Sequence, residues 1–283
     1  MRSVVVTGAS TGIGWTTAKL LLDKGFRVFG SVRKQPDADR LKSEFGSNFI
    51  PLLFDVTDEA AVLAAAREVR AALSGETLAG LVNNAGIAVA GPVLELAVDQ
   101  FRRQLDVNVI GPIIATQAFG PLLGSDASLQ GSKGRIVMIS SVAGKTGNPL
   151  TAGYAASKHA IEGLSESLRR EMMPFGIDVV IIAPGAVKTP IWSKAQDIDM
   201  SAYKNSPYFP ALEKISAFTK HLSEIGLPPE KIAAVIADAL TTAHPKVRYQ
   251  LTPDPMRHLI TGLLPKRMVD RIIAKRLGLM PPA

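Results

Sequence analysis

The chain has 283 residues, no cysteine and a formal net charge of +7, with 47% hydrophobic and 20% charged residues. That composition describes an ordinary globular protein with ample core material, and the missing thiols exclude disulfides and thiolate metal centres. No uncharged apolar run approaches the roughly 18 to 20 residues a membrane span requires, and the first apolar strand begins at Ser3, leaving no room for a leader, so the expected location is the cytoplasm.

Ser3-Val-Val-Val-Thr7 is a β-branched run that turns at once through Gly8-Ala-Ser-Thr-Gly12-Ile-Gly14 into a helical pattern at Ala18, Leu21 and Leu22. A strand entering a helix through glycines can cradle a phosphate. Glycine lets the backbone approach it, and the first N–H groups of the helix point at it. The spacing is Gly-x3-Gly-x-Gly, which departs from the commoner Gly-x-Gly-x-x-Gly fingerprint. The next strand, Arg27 to Val32, ends at Arg33, which lies 19 residues beyond Gly14. Dinucleotide folds contact the adenosine ribose near this point, with an acid reading a free 2′-hydroxyl and a base accommodating a 2′-phosphate. Arg33, with Lys34 beside it, points to NADP(H); a solvated loop charge is the plainer alternative.

The same unit then repeats. Phe49 to Phe54 reads as a strand ending in Asp55-Val56, Glu59 to Leu73 as a helix through Val62, Ala66, Val69 and Leu73, and Ala79 to Val82 as a strand running into Asn83-Asn84-Ala85-Gly86. Strands alternating with helices through right-handed crossovers imply an α/β protein with a parallel sheet and helices on both faces. No composition break or polar linker interrupts the repeat, so one catalytic domain is expected over residues 1–251.

Phe101 to Leu123 reads as one long helix with Asn108 inside it, where the amide competes with backbone hydrogen bonds. Such an Asn is either a local accident or needed. After a Gly/Ser-rich surface loop, the fifth strand, Gly134 to Ser140, delivers Ser141 at its carboxyl end, the edge where ligands sit in open α/β sheets. Tyr154-Ala-Ala-Ser-Lys158 follows on a helix running to about Met172. Tyr and Lys four residues apart share a helix face, so the cation would favour the ionised phenol. With Ser141 nearby, the group could hold a carbonyl oxygen and protonate it. The spacing also arises by chance on many helices, and its weight comes from the glycine turn, Asn108 and Ser141. His159 projects about 100° from its neighbour Lys158 and reads as structural; Lys145 reads as solvent-exposed.

Ile177 to Ile182 is the sixth strand, and the turn Ala183 to Thr189 cannot extend the sheet through Pro184, which lacks an N–H. Residues 190–229 hold Trp192, Tyr203, Tyr208, Phe209 and Phe218, five of the chain's sixteen aromatics, in loops broken by Pro207 and Pro210. They form either a lid over an apolar substrate or a packed helical hairpin. Pro229 to Thr242 is a helix, Val247 to Leu251 the seventh strand and Met256 to Leu277 a terminal amphipathic helix. Residues 252–283 thus form a basic extension, and from Pro245 to Ala283 eight basic residues face two acidic ones. A solvated face or an inter-subunit contact is the plainer reading of that charge; an anionic membrane or nucleic acid is the sharper one.

Taken together, Thr7-Gly8-x3-Gly12-x-Gly14, Asp55-Val56, Asn83-Asn84-Ala85-Gly86, Asn108, Ser141, Tyr154-x3-Lys158 and Pro184-Gly185 followed by Thr189 resemble the short-chain dehydrogenase/reductase family in order and spacing. The stretch ending at Arg33, the length and the basic extension are similar to its steroid and retinol dehydrogenases. The resemblance implies a single-domain, doubly wound Rossmann-type fold with about seven strands. It implies hydride transfer between NADP(H), or less readily NAD(H), and a carbonyl or alcohol on a bulky apolar substrate. Tyr154 would be the general acid or base, Lys158 would lower its pKa and hold the nicotinamide ribose, Ser141 would bond the carbonyl oxygen, and Asn108 would position a relay water. The family's interval of thirteen residues favours Ser141 over Ser140. Gly8, Ser10, Thr11, Gly12, Ile13 and Gly14 would surround the pyrophosphate, with Arg33 at the 2′-phosphate and Asp55 and Val56 at the adenine. Asn83, Ala85, Gly86, Pro184, Gly185, Val187 and Thr189 would line the rest of the cofactor, and Asn148 and Trp192 would join Ser141 and Tyr154 around the substrate. No metal and no nucleic acid are implied; a homodimer or homotetramer through the helices carrying Asn108 and Tyr154 is. A dinucleotide-binding protein without chemistry is the alternative.

Overall fold

The computed structural model describes residues 1–191 and 200–281, apart from the side chains of 219–223 and 257–259. Seven strands form one parallel sheet: β1 (Ser3–Val6), β2 (Arg27–Val32), β3 (Phe49–Leu53), β4 (Gly80–Asn83), β5 (Arg135–Ile139), β6 (Asp178–Pro184) and β7 (Arg248–Leu251). Their order is β3-β2-β1-β4-β5-β6-β7, so the winding reverses between β1 and β4 and opens a crevice at the carboxyl ends there.

The strands read as near-continuous apolar runs because both faces are covered. Val5, Phe29, Leu81, Ile136, Met138 and Val179 point to one face, under α3 (Glu59–Leu73), α5 (Gly111–Phe119) and α6 (Ala152–Glu171), where Val62, Val69, Ala115, Phe119 and Ile161 meet them. Their neighbours Val4, Val28, Val82, Val137 and Val180 point the other way, under α1 (Gly12–Asp23), α2 (Gln35–Phe45) and α8 (Pro229–Thr241), against Leu21, Leu41, Ile232 and Ile236. Helix α2 has no counterpart in the sequence reading. Its buried residues are Ala38 and Leu41 alone, too sparse a stripe to declare a helical period.

Two expected helices are broken, each at a proline. The long helix over 101–123 consists of α4 (Val98–Leu105), a π turn at Asp106–Ile110, α5 and a 3-10 turn at Gly120–Leu123. In α register the Asn108 carbonyl would receive the N–H of residue 112, which is Pro112 and has none. The terminal helix over 256–277 divides into α9 (Pro255–Leu263) and α10 (Lys266–Leu277), because Pro265 can neither donate to the preceding turn nor fit against it. Within 190–229 the structure has a 3-10 turn at Met200–Tyr203 and α7 (Phe209–Ile225). Tyr203 and Tyr208 pack on Leu150, Ala211 and Leu212, and the Ser206 hydroxyl donates to Glu95 at 2.9 Å. Trp192 lies outside the described residues. Among the described residues no helix is long and apolar enough to cross a membrane.

Candidate active site

The glycine turn is built for close approach. Gly8 and Gly12 take φ of +68° and +59°, and a Cβ on Gly14 would collide with the Gly8 carbonyl and the Asn84 amide. Thr11 occupies the N-cap of α1 without a side-chain cap bond, and the first turn carries no acidic residue, so the leading N–H groups are left for an external anion. The turn is stitched across the winding reversal. Thr7 Oγ1 accepts the N–H groups of Asn84 and Ala85 at 2.9 and 3.0 Å, while Asn84 Nδ2 donates to the Thr7 and Gly8 carbonyls at 2.8 and 3.1 Å. Thr189, from the turn after β6, closes over Gly12, where an added Cβ would lie 3.2 Å from its own Cβ. Arg40 on α2 donates to the Ser10 carbonyl at 2.8 Å. Asn84 belongs to the motif Asn83-Asn84-Ala85-Gly86 but carries no role of its own in the sequence reading, and nothing local marks Arg40.

At the far end of the crevice Arg33 and Asp55 stand 3.8 Å apart, both well exposed, in a cleft of about 260 Å³ shared with Thr57, Arg103, Asp106, Val107 and Ile110. Asp55 also accepts the N–H and hydroxyl of Thr57, and Val56 is buried against Gly111. Uncapped α1 and the cradle fit the pyrophosphate of a dinucleotide, and the cleft beyond them sets two arginines, Arg33 and Arg103, against two acids, Asp55 and Asp106. Asn83 fits less directly: its amide is buried beneath the sheet between Thr116 and Met138, so a contact from this residue would come through its main chain.

Tyr154 sits one turn into α6, and Lys158 follows on the same face with its ammonium 5.7 Å from the phenol ring centre. Lys158 is buried and donates to the Ile139 carbonyl at 2.8 Å, which ties α6 to the end of β5. Burial lowers its pKa from 10.5 to about 8. Burial also pushes the Tyr154 phenol up, and a hydrogen bond with Ser141 pulls part of that back. The expectation that Lys158 depresses the phenol is therefore not met by the pair alone, because the lysine gives up its charge before the phenol ionises. Ser141 also donates to the Pro184 carbonyl at 3.3 Å and accepts the Ala143 N–H. Asn108 clamps Ile87, accepting its N–H at 2.8 Å and donating to its carbonyl at 2.9 Å, and reaches Ser157, whose hydroxyl donates to the Tyr154 carbonyl. With both amide atoms engaged, a water at this residue would meet the main-chain carbonyl that Pro112 leaves without its α-helical donor. Gly86 packs on the Asn108 side chain, Gly185 donates to Leu251, and Val187 is buried beside this edge. Asn148 is exposed in the loop before α6, and its carbonyl receives the Thr151 hydroxyl. His159 turns outward and bonds the Ala155 carbonyl.

Ser140 faces away from this group into a network the sequence did not suggest. Its hydroxyl donates at 2.7 Å to Glu162, a buried carboxylate that Arg248 of β7 grips through Nε at 2.9 Å and Nη2 at 3.2 Å, with Lys145 at 3.7 Å outside. Breaking one partner of a buried pair strands the other charge. Glu162→Gln should therefore cost about 2 to 3 kcal/mol in urea denaturation. An unchanged midpoint would mean that the network carries no stability.

The family model described as short chain dehydrogenase matches residues 2–199. The chain is 38% identical over 278 residues to an NADPH-dependent 3-dehydrocapnine reductase of Ornithobacterium rhinotracheale, covering 98% of each chain. It is 33% identical over 287 residues to retinol dehydrogenase 5 of Mus musculus, covering 95% of this chain and 87% of that one. A crystal structure of a short-chain dehydrogenase from Streptomyces avermitilis superposes with a TM-score of 0.76 at 28% identity, covering 97% of this chain and 95% of the other. With the glycine cradle, the Tyr154–Lys158 pair and the seven-stranded parallel sheet all in one chain, the protein belongs to the short-chain dehydrogenase/reductase family, whose fold binds a nicotinamide dinucleotide.

Proposed function

We propose that the protein is an NADP(H)-dependent carbonyl reductase or alcohol dehydrogenase for a bulky apolar substrate, with Tyr154 as the proton-transferring residue. The observation that carries this reading is the convergence of the Tyr154 phenol, the Ser141 hydroxyl and the Lys158 ammonium at the strand ends beside the glycine cradle. Gly8, Gly12, Gly14, Ser10, Thr11 and Ile13 would hold the pyrophosphate and Arg33 the 2′-phosphate. Asp55 and Val56 would take the adenine, and Pro184, Gly185, Val187 and Thr189 would take the nicotinamide end. The bound cofactor supplies or accepts the hydride. Ser141 would orient the carbonyl oxygen toward the phenol, and the carbonyl of Asn108 would hold a water that returns protons by way of Lys158. A phenol whose pKa is raised by burial is protonated at neutral pH, the form that donates to a carbonyl oxygen. The relative from Ornithobacterium, named as an NADPH-dependent reductase, points the same way.

Family members act on small molecules and are commonly oligomeric. For this chain we propose a catalytic unit over residues 1–251 with 252–283 appended, a homodimer or homotetramer through α4–α5 and α6, and a cytoplasmic setting. The exposed apolar side chains of Val93 and Leu94, beside the segment that Ser206 bonds, support an apolar substrate entering under residues 200–209.

Fluorescence titration with NADPH and NADH tests the cofactor assignment. NADPH should bind at least about tenfold more tightly, and Arg33→Ala should remove most of that preference, since a charged hydrogen bond is worth about 1.5 to 3 kcal/mol. Tighter binding of NADH to the wild type would reverse the assignment. Turnover of ketones graded by size, with NADPH, tests the substrate class.

A further inference from the structure

The C-terminal helices present an outer face that the catalytic centre does not use. On α10, Val269, Ile273 and Leu277 are half-buried toward the protein, and Leu277 packs with Leu279 on Leu212 of α7. Arg276 lies over the Phe218 ring at 5.0 Å. On the opposite side, at 100° per residue, Met268 and Ile272 fall beside Arg271 and Lys275, and both apolar side chains are half exposed, at 50% and 52%. Helix α9 repeats the pattern: Met256, Ile260 and Leu263 share one face, and 70%, 52% and 78% of their surfaces are open. An ordinary solvated helix would put polar residues there. Residues 252–283 carry six basic and two acidic residues, a net +4 of the chain's +7, and Asp270 falls on the protein side of α10.

We infer that this face docks peripherally on an anionic lipid surface, with the apolar side chains entering the headgroup boundary and Arg271 and Lys275 contacting lipid phosphates. Interleaved Met, Ile, Lys and Arg on one helix face suit that interface, where apolar burial and charge attraction add. A second copy of the chain fits poorly, since an isologous contact would bring the same cations together. Nucleic acid fits poorly as well, because residues 255–277 contain no Phe, Tyr or Trp on which a base could stack. Docking would bring α7, and with it the proposed substrate entrance, to the surface where apolar compounds partition.

Flotation of the full-length protein with vesicles of phosphatidylcholine alone, or with phosphatidylglycerol added, tests the inference. Binding is expected to the anionic vesicles, weakened by salt. It should fall by more than about tenfold in Arg271→Glu with Lys275→Glu, and fall likewise in Met268→Ser with Ile272→Ser. Both double variants change exposed residues outside the catalytic group, so NADPH affinity should stay at the wild-type value and serves as the control for folding. Equal binding to neutral and anionic vesicles, no binding to either, or indifference to both double variants would overturn it. A wild-type oligomer that dissociates in Met268→Ser with Ile272→Ser, read by light scattering, would give the face to a second copy instead.

Discussion

Tyr154→Phe should lower turnover with NADPH by about three orders of magnitude while leaving NADPH affinity within about twofold. Positioned proton transfer contributes about 10² to 10⁴ in rate, and among the described residues no neighbouring group is placed to replace the phenol. Ser141 already bonds Pro184 and Ala143, Ser157 bonds the Tyr154 carbonyl, and His159 faces the Ala155 carbonyl on the outer side of α6. The phenol is lost without moving the ring, so the cradle around Gly8 and Gly14 keeps its shape. Steady-state rates beside a cofactor titration make the distinction. Turnover within tenfold of wild type would show that the proton comes from elsewhere.

Lys158→Met should make the protein more stable near neutral pH even as it removes activity. The gap between 10.5 and about 8 corresponds to roughly 3 kcal/mol by which burial disfavours the charged lysine. The substitution relieves that cost but leaves the Ile139 carbonyl without its donor, about 1 kcal/mol. A net gain of about 1 to 2 kcal/mol is expected at pH 7. The sign of the pH dependence follows from where the protons are. Below about 8 both folded and unfolded chains hold the proton, and the wild type bears the whole penalty. Between about 8 and 10.5 the unfolded chain holds a proton that the fold has released, so wild-type stability rises with pH across this window. Above it the lost hydrogen bond remains, and the variant should be the weaker of the two. Urea denaturation at pH 7 and pH 10 measures both ends. A variant less stable at pH 7 would show that the fold compensates the buried charge.

The sheet was legible because five of its strands are unbroken apolar runs and the glycine turn fixes where the winding starts. Tyr154 and Lys158 stand at a helical interval and Ser141 at a strand end, while Asn108 stood out only as an amide inside a helix and took its role, like the choice of Ser141 over Ser140, from the family resemblance; the fold gathers the four in one place. What escaped were contacts distant in sequence: Arg248 reaches Glu162 across 86 positions and Asn84 reaches Thr7 across 77. No local spacing encodes such a meeting. The two helix breaks had been written in the chain as Pro112 and Pro265, and the apolar periodicity around each drew the eye past them. Lys158 shows a different limit. Spacing places a cation beside a phenol, but which of the two yields its charge depends on burial, and burial is a property of the finished fold.

The Thr7–Asn84 stitch also bears on how such a chain can be recombined. The segments after β1, β2 and β3 hold the glycine turn, Arg33 and Asp55, while the segment after β5 holds Ser141, Tyr154 and Lys158, which invites a chimera joined between α3 and β4 to exchange one group against the other. That seam would part Thr7 from Asn84, and Asn84 is what holds the Thr7 and Gly8 carbonyls in place. A workable crossover therefore has to lie beyond Gly86, so that the glycine cradle travels with the strand end that shapes it.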